Sequence, residues 1–343
     1  MNKHLLDLGE KKMTEKTREV GVDILKAVCI LLVVLGHIRL VTSTLPESAH
    51  LIRFIWYTIV FVSVPSFILI SLYFFSLKIS ESGDYWKKRL LKLFQIYVFW
   101  TCVQFILYVV LGGELPLPWK TFFRSGGPAL SYGTFLPPMP SIFYYLYVLI
   151  ICAILALLFT KLPDKIKPSL SIVIVLGICI YYFYAQKRGI VIDTHSMKNF
   201  FIYIPVAYYL CRYKEKFIQY RLLFFILYIL TATIEYIMGG ASSAFGRTSI
   251  FFGTLLFVSV FISGWSKANR PILFLSKYTL GIFALHPYWI AVVRSAYSLA
   301  LGRETVMVPQ SFTEGIVTFA VVLILTCISA WLIGKTRLRM YVS

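Results

Sequence analysis

The chain has 343 residues, of which 59% are hydrophobic and only 14% are charged. Soluble domains carry about 25% charged residues, so this composition excludes an ordinary soluble protein and leaves little room for a separate soluble domain. The formal net charge is +19, but the basic residues lie in short clusters between apolar runs. That pattern is typical of the positive charges that set membrane topology, and it does not favour a nucleic-acid partner.

Ten apolar runs follow a polar, basic arm over residues 1–19. The runs are 20–41, 52–76, 90–111, 141–160, 169–185, 199–211, 222–238, 248–264, 276–297 and 312–334. Pro65 predicts a kink in the second run, and Pro205 predicts that the short sixth run is broken or tilted. The sequence therefore predicts an all-α, polytopic membrane protein with about ten transmembrane helices over 20–334 and a tail over 335–343.

The distribution of Lys and Arg predicts the orientation of the runs. Ten spans put both termini on one side, and most of the 34 Lys and Arg residues fall in the arm, the tail and the loops of that side. Because positively charged loops stay in the cytoplasm, the arm and the tail are predicted to be cytoplasmic. The longest loop of the opposite side, 112–140, is rich in Gly and Pro and is interpreted as a lid over a site that opens outward.

Two further sets of residues are interpreted as structural. The cysteines lie in apolar runs without metal-type spacing, so we expect small buried side chains, no disulfide framework and no metal site. They are Cys29, Cys102, Cys152, Cys179, Cys211 and Cys327. Four ionisable residues border predicted outer loops and are expected to be solvated there. They are Asp193, His195, Glu235 and Arg247.

The first run carries Asp23, Lys26 and His37 within apolar sequence. Eleven steps of about 100° bring Lys26 and His37 onto one helix stripe, about 16 Å apart in depth, with Asp23 one turn below. Charged groups at such depth are costly and usually mark a functional path. His37 is a candidate general base because an imidazole titrates near neutral pH. The alternatives are a histidine that only hydrogen-bonds a neighbouring helix and an Asp–Lys pair that only neutralises itself.

A basic cluster, made of Lys87, Lys88, Arg89 and Lys92, lies at the predicted cytoplasmic end of the third run. Such clusters ordinarily set topology and contact lipid headgroups. Arg89 and Lys92 are three residues apart and share a helix face, so phosphate binding by charge-assisted hydrogen bonds is the second interpretation.

The ninth run contains His286 near its middle, followed directly by Pro287. A histidine beside a proline at membrane depth indicates a cavity, because proline loosens the helix locally. A buried contact between helices is an equally good interpretation.

Two of these segments resemble the acyltransferase-3 family of multi-pass membrane acyltransferases, and the resemblance covers nearly the whole chain. One is VDILKAVCILLVVLGH, in which a basic residue, ten residues and a histidine run from Lys26 to His37. The other is SKYTLGIFALHPYWI, with Tyr278 and His286, which is close to the family pattern Ser-x-x-Ser/Thr-Leu-Gly-Ile-Tyr-x-x-His. Phe283 replaces the tyrosine of that pattern.

Two other segments resemble the family more weakly. SVPSFILISLYFF, which begins at Ser63, is similar to the family's second span, with Leu72 where a glycine is usual. Arg89 and Lys92 are similar to the family's Arg-x-x-Arg, and lysine lacks the bidentate fork of the second arginine.

The resemblance implies an O-acyltransferase of the cytoplasmic (inner) membrane. The donor is acyl-CoA, usually acetyl-CoA, on the cytoplasmic side, and the acceptor is a hydroxyl of a cell-surface or lipid-linked glycan. The implied catalytic residues are Asp23, Lys26 and His37. The implied donor-binding residues are Lys88, Arg89 and Lys92, and further candidates are Ser63, Tyr278 and His286. His37 deprotonates the acceptor hydroxyl in this interpretation, and an acyl-His37 intermediate is the alternative chemistry.

Two other functions fit the residues alone. A transporter or flippase would use intramembrane Asp, Lys and His as a proton or substrate relay. A membrane sensor or assembly partner would keep the same charges for structural reasons only.

Overall fold

The computed structural model describes residues 19–46, 48–110, 142–194, 196–239, 243–300, 302, 309 and 311–343. Within these ranges the chain is helical and contains no strand, which confirms the predicted all-α class. The predicted lid over 112–140 and the candidate loop residue His195 lie outside the described residues.

The described helices are numbered here in chain order. They are α1 Val20–Ile38, α2 Leu40–Thr44, α3 His50–Val60, α4 Ser63–Glu81, α5 Tyr85–Val110, α6 Tyr144–Lys161, α7 Lys167–Lys187, α8 Tyr203–Arg212, α9 Lys214–Gln219, α10 Arg221–Ile237, α11 Thr248–Phe261, α12 Arg270–Lys277, α13 Thr279–Ala300 and α14 Phe312–Ile333. Short 3₁₀ segments lie at Met197–Phe200 and Arg337–Tyr341.

Each predicted apolar run contains one or two of these helices. Among the described residues, five helical segments are long and apolar enough to cross a membrane. They are Val20–Ile38, His50–Glu81, Tyr144–Lys161, Lys167–Lys187 and Phe312–Ile333. The total of ten spans and the cytoplasmic placement of both termini stay predictions.

Prolines interrupt the second and sixth runs, as the sequence predicts. The second run is two helices, because α3 ends at Val60 and α4 begins at Ser63. Pro65 lies in the first turn of α4, where its missing N–H costs nothing, while its ring would clash with the carbonyl of Phe61 in a continuous helix. The sixth run begins in a 3₁₀ segment, and Pro205 lies in the first turn of α8.

Helix α1 lies at the centre of the molecule. It packs against α3, α4, α11, α12, α13 and α14, and Leu25, Cys29 and Val34 along it are fully buried. Gly21 allows the close approach of α11, because a Cβ atom at that position would lie 1.7 Å from the carbonyl oxygen of Phe261. The helix with the candidate catalytic residues is therefore held from most sides.

The outer surface of the bundle is apolar. Large hydrophobic side chains are exposed along α7 and α10, and they include Ile172, Val173, Leu176, Ile180, Leu222, Phe225 and Ile226. Such surfaces fit a lipid environment. All six cysteines are free, but the expectation of burial is wrong for Cys102, which is exposed on α5. In a lipid-facing helix, an apolar run does not imply a buried face.

The carboxyl-terminal residues pack against two helices. The N–H of Gly281 on α13 donates to the Val342 carbonyl, and Trp100 Nε1 on α5 donates to the Tyr341 carbonyl, both at 3.0 Å. The rings of Phe99 and Tyr341 are stacked with centroids 3.9 Å apart. The tail therefore ties α5 to α13, a contact that its polar sequence does not predict.

Candidate active site

Helix α1 carries all three residues of the predicted stripe. Asp23 is buried, Lys26 is half-buried and His37 is exposed at the carboxyl end of the helix. The helix ends just after His37, because Arg39 adopts a left-handed conformation with φ of 58°. An exposed imidazole on an otherwise buried helix is accessible to a ligand from outside the bundle.

The amino end of the stripe is fixed to α12. The Ser276 hydroxyl donates to Asp23 Oδ1 over 2.5 Å, and both side chains are buried. Ser276 is the first residue of the segment SKYTLGIFALHPYWI. This bond gives Asp23 a structural role, since it anchors α1 against the segment that also carries His286.

His286 on α13 is fully buried, and its position follows from the next residue. Pro287 has no N–H, so the carbonyl of Phe283, four residues earlier, lacks its usual helix donor. His286 Nδ1 lies 2.8 Å from that oxygen and 3.2 Å from the Ile282 oxygen. A carbonyl only accepts, so Nδ1 carries the proton and Nε2 keeps a lone pair. Nε2 has no hydrogen-bond partner among the described residues.

His37 and His286 are in contact. Their ring centroids are 4.9 Å apart and their planes are inclined by 58°. The two segments that carry the sharpest sequence patterns therefore meet twice, through Asp23 and Ser276 at one end and through the two imidazoles at the other. The sequence singles out both histidines but does not predict that they meet.

Arg294 is a nearby cation that the sequence analysis missed. Its Nη2 donates to the carbonyl of Ile38 over 3.1 Å, at the carboxyl end of α1 where carbonyls lack helix partners. Arg294 lies eight residues after His286, on the same broad face of α13. That spacing could have identified it as a candidate site residue from the sequence.

The basic cluster begins α5. Lys88 is exposed, whereas Arg89 and Lys92 are half-buried, as expected for two residues three apart on one inward face. Arg89 lies within electrostatic range of the buried Tyr145. Lys87 differs from these residues, because it is exposed and pairs with Asp84 at 3.1 Å.

Ser63 and Tyr278 make contacts at helix ends. The Ser63 hydroxyl donates to the carbonyl of Val60 over 2.7 Å, across the break between α3 and α4. Tyr278 packs with its ring centroid 4.9 Å from that of Phe274. A Cβ atom at Gly334 would lie 2.5 Å from the Tyr278 ring. These contacts join helices and involve neither imidazole.

The expectation that Glu235 and Arg247 are solvated loop residues is wrong. They are 1% and 2% exposed and form an ion pair with Arg247 Nε 2.9 Å from Glu235 Oε2. Arg247 Nη2 donates to Thr58 Oγ1, and Glu235 also accepts from the backbone and hydroxyl of Ser249. Burial of a charge requires such partners, which come from three helices and are invisible in a linear sequence. Asp193 is exposed as expected.

Comparison with known proteins places this arrangement in a family. A family model described as an acyltransferase domain, that of the acyltransferase-3 family, matches residues 19–335. No curated protein and no solved structure gives a significant match. The match includes both imidazoles, the basic cluster and every helix described above. The chain therefore belongs to the acyltransferase-3 family and is a multi-pass membrane acyltransferase.

Proposed function

We propose that this protein transfers an acetyl group from cytoplasmic acetyl-CoA to a hydroxyl of a cell-surface or lipid-linked glycan, with His37 as general base. The observation that carries the proposal is the contact between an exposed His37 and a buried His286 within the matched domain. A base that acts on a bulky acceptor must be accessible, and a partner that orients the base is best held rigidly in the core.

The donor enters beside the basic cluster in this proposal. Arg89 and Lys92 face inward at the beginning of α5 and bind the CoA phosphates, since charge-assisted hydrogen bonds to phosphate are the strong ones. The pantetheine arm then extends along α1 towards His37. The protein crosses the cytoplasmic membrane about ten times, with this mouth on the cytoplasmic side.

The chemical step is an acyl transfer from sulfur to oxygen. His37 takes the proton of the acceptor hydroxyl as its oxygen attacks the thioester carbonyl. The carbon–sulfur bond then breaks and the ester forms. The CoA thiolate leaves and takes up the proton from His37. General-base catalysis of this kind contributes about 10²–10⁴-fold to a rate.

His286 positions His37 in this mechanism. Its Nδ1 proton is held by the Phe283 carbonyl, so its Nε2 lone pair is available to an N–H of the neighbouring His37 ring. An N–H held there leaves the other His37 nitrogen deprotonated and directed at the acceptor. Asp23 anchors the far end of α1 through Ser276, and Lys26 stands between the two ends beside the donor path.

The test replaces His37 by glutamine, which keeps a polar side chain but removes the base. Cells that express the wild-type protein should carry alkali-labile acetate in their envelope glycans. The His37→Gln variant should lower this acetate at least about 100-fold, while its amount in the membrane and its binding of acetyl-CoA stay unchanged. Undiminished acetate in the variant would overturn the role of His37, and CoA-independent solute counterflow in vesicles would favour a transporter.

A further inference from the structure

A cavity lies between α3 and α10, apart from the two imidazoles. Its volume is about 640 Å³, and its wall includes Phe54, Tyr57, Phe61, Tyr236 and Arg247. These five residues define what is called here the α3–α10 cavity. Small-molecule sites in proteins have volumes of about 300–1,000 Å³, so the cavity has the size of a site for one or two sugar rings.

Aromatic rings form much of its wall. Tyr57 and Phe61, one helical turn apart, are stacked with centroids 5.2 Å apart and planes inclined by 8°. Phe54 and Tyr236 face each other from α3 and α10 with centroids 5.3 Å apart. Aromatic faces carry partial negative charge and attract polarised C–H groups. A pyranose presents such C–H groups on the flat face of its ring.

Arg247 provides a polar group within this aromatic wall. Its guanidinium lies over the Phe54 ring, with Cζ 4.7 Å from the centroid. Nε and Nη2 are bound by Glu235 and Thr58, but buried Nη1 has no partner among the described residues. A buried donor without a partner is destabilising, and a ligand oxygen in the cavity would remove that cost.

The charge balance favours a neutral ligand. Glu235 neutralises Arg247 at 2.9 Å, so this ion pair leaves one N–H donor, Nη1, free of partners among the described residues and without net positive charge. An anion would gain hydrogen bonds but would meet the Glu235 carboxylate directly behind the guanidinium. Hydroxyl oxygens accept the same hydrogen bonds without that repulsion.

Helix α3, which forms part of the cavity wall, contacts α1 one residue before His37. A Cβ atom at Gly36 would lie 2.7 Å from Val60 Cγ1, so α1 and α3 touch directly beside His37. Phe61, the residue after Val60, lines the cavity. An acceptor seated in the cavity would therefore lie against the helix that contacts α1 beside His37.

We infer that the α3–α10 cavity binds a neutral pyranose ring of the acceptor glycan, with Arg247 Nη1 donating to a sugar oxygen and the aromatic side chains packing against the C–H face of the ring. This inference rests on the proposed function, since it gives the glycan acceptor a binding site. It assigns Glu235 to orienting and neutralising Arg247.

The test uses saturation-transfer NMR on the full-length protein in phosphatidylcholine nanodiscs, because sugar-based detergents would compete for the site. The probes are neutral methyl pyranosides (glucoside, galactoside, mannoside, rhamnoside and N-acetylglucosaminide), glucuronic acid and glycerol phosphate. We expect transfer to the C–H protons of at least one neutral pyranoside, weaker transfer to glucuronic acid and none to glycerol phosphate.

Two tyrosine variants make the test specific. Tyr57→Ala removes an aromatic face of the cavity without touching the buried ion pair and should lower the transfer at least about twofold, since aromatic contacts are worth about 0.5–1.5 kcal/mol. Tyr181→Ala, at an exposed tyrosine on α7, should leave it unchanged. No transfer to any neutral pyranoside, equal transfer in the Tyr57→Ala variant, or preferential transfer to glycerol phosphate, as at a lipid headgroup site, would overturn the inference.

Acetyl-CoA binding, measured on the same samples, separates this inference from the proposed function. Acetyl-CoA binding without pyranoside transfer would refute the sugar site alone. Pyranoside transfer without acetyl-CoA binding would refute the proposed donor and keep the sugar site.

Discussion

Pro287 and His286 act together at the scale of single residues. The proline removes one backbone donor, and the ring of the preceding histidine takes over the carbonyl that this leaves. The proline thereby favours a proton on Nδ1 of His286, because the Phe283 carbonyl can only accept. The sequence analysis paired the two residues as a sign of a cavity or of a buried helix contact, and it did not predict this hydrogen bond.

Replacing Pro287 by alanine tests that arrangement. The alanine in the Pro287→Ala variant would supply an N–H that competes with His286 for the Phe283 carbonyl. A competing hydrogen bond is worth about 0.5–1.5 kcal/mol, which corresponds to a loss of acetyl transfer of about 2–13-fold. The unfolding temperature of the variant should not fall, because the helix gains a backbone bond. Full activity in a stable variant would show that the orientation of His286 does not matter.

Arg89 and Lys87 offer a matched pair of charge deletions in the basic cluster. Arg89→Gln should weaken acetyl-CoA binding about 10–150-fold, the range expected for loss of a hydrogen bond to a charged group worth about 1.5–3 kcal/mol. Lys87→Gln should change the affinity less than about twofold, because Lys87 is exposed and paired with Asp84. Isothermal titration of both variants with acetyl-CoA measures the difference, and equal effects would reduce the cluster to a topology signal.

At the scale of the helices, the neighbours of α1 fix its position along its own axis. Six helices pack around it, and Gly21 lets the carboxyl end of α11 approach its first turn. Displacement of α1 along its axis would move His37 relative to His286, since the two residues belong to different helices. Close packing at the amino end of α1 therefore supports the geometry at its carboxyl end.

Gly21 and Gly177 test this dependence as a matched pair. An alanine Cβ at Gly21 would lie 1.7 Å from the Phe261 oxygen, whereas nothing lies within 4 Å of a Cβ at Gly177 on α7. Gly21→Ala should destabilise the protein by about 1–3 kcal/mol through overpacking. Gly177→Ala should be neutral or stabilising by up to about 1 kcal/mol, since alanine favours a helix. Thermal unfolding of the two variants in the same detergent measures both effects, and equal unfolding temperatures would contradict the packing of α1.

Helix positions were predictable because apolar runs and prolines act locally. The break before Pro65 and the short helix with Pro205 follow from the chemistry of proline alone. The contacts between distant segments were not predictable in this way. Asp23 meets Ser276, and Arg247 meets both Glu235 and Thr58, but each pair depends on which helices become neighbours. The α3–α10 cavity was missed for the same reason, because its wall comes from separate helices and loops.

The whole molecule is an apolar bundle, and the proposed function requires it to bring together two substrates from opposite sides of the membrane. In the proposed function, CoA is held at the cytoplasmic mouth near Arg89, and the glycan occupies the α3–α10 cavity near the other end of α1. The central helix then connects the two sites, and His37 lies where they meet.

The most direct measurement supplies labelled acetyl-CoA to sealed, inside-out membrane vesicles from cells that express the protein. The cytoplasmic face of such vesicles is accessible, and the surface glycans are enclosed. The account predicts that label appears as alkali-labile ester on the enclosed glycans and that His37→Gln lowers it at least about 100-fold. If the enclosed glycans stay unlabelled while the protein is folded and acetyl-CoA is intact, or if the His37→Gln variant labels them normally, the account of transmembrane acetyl transfer by His37 is wrong.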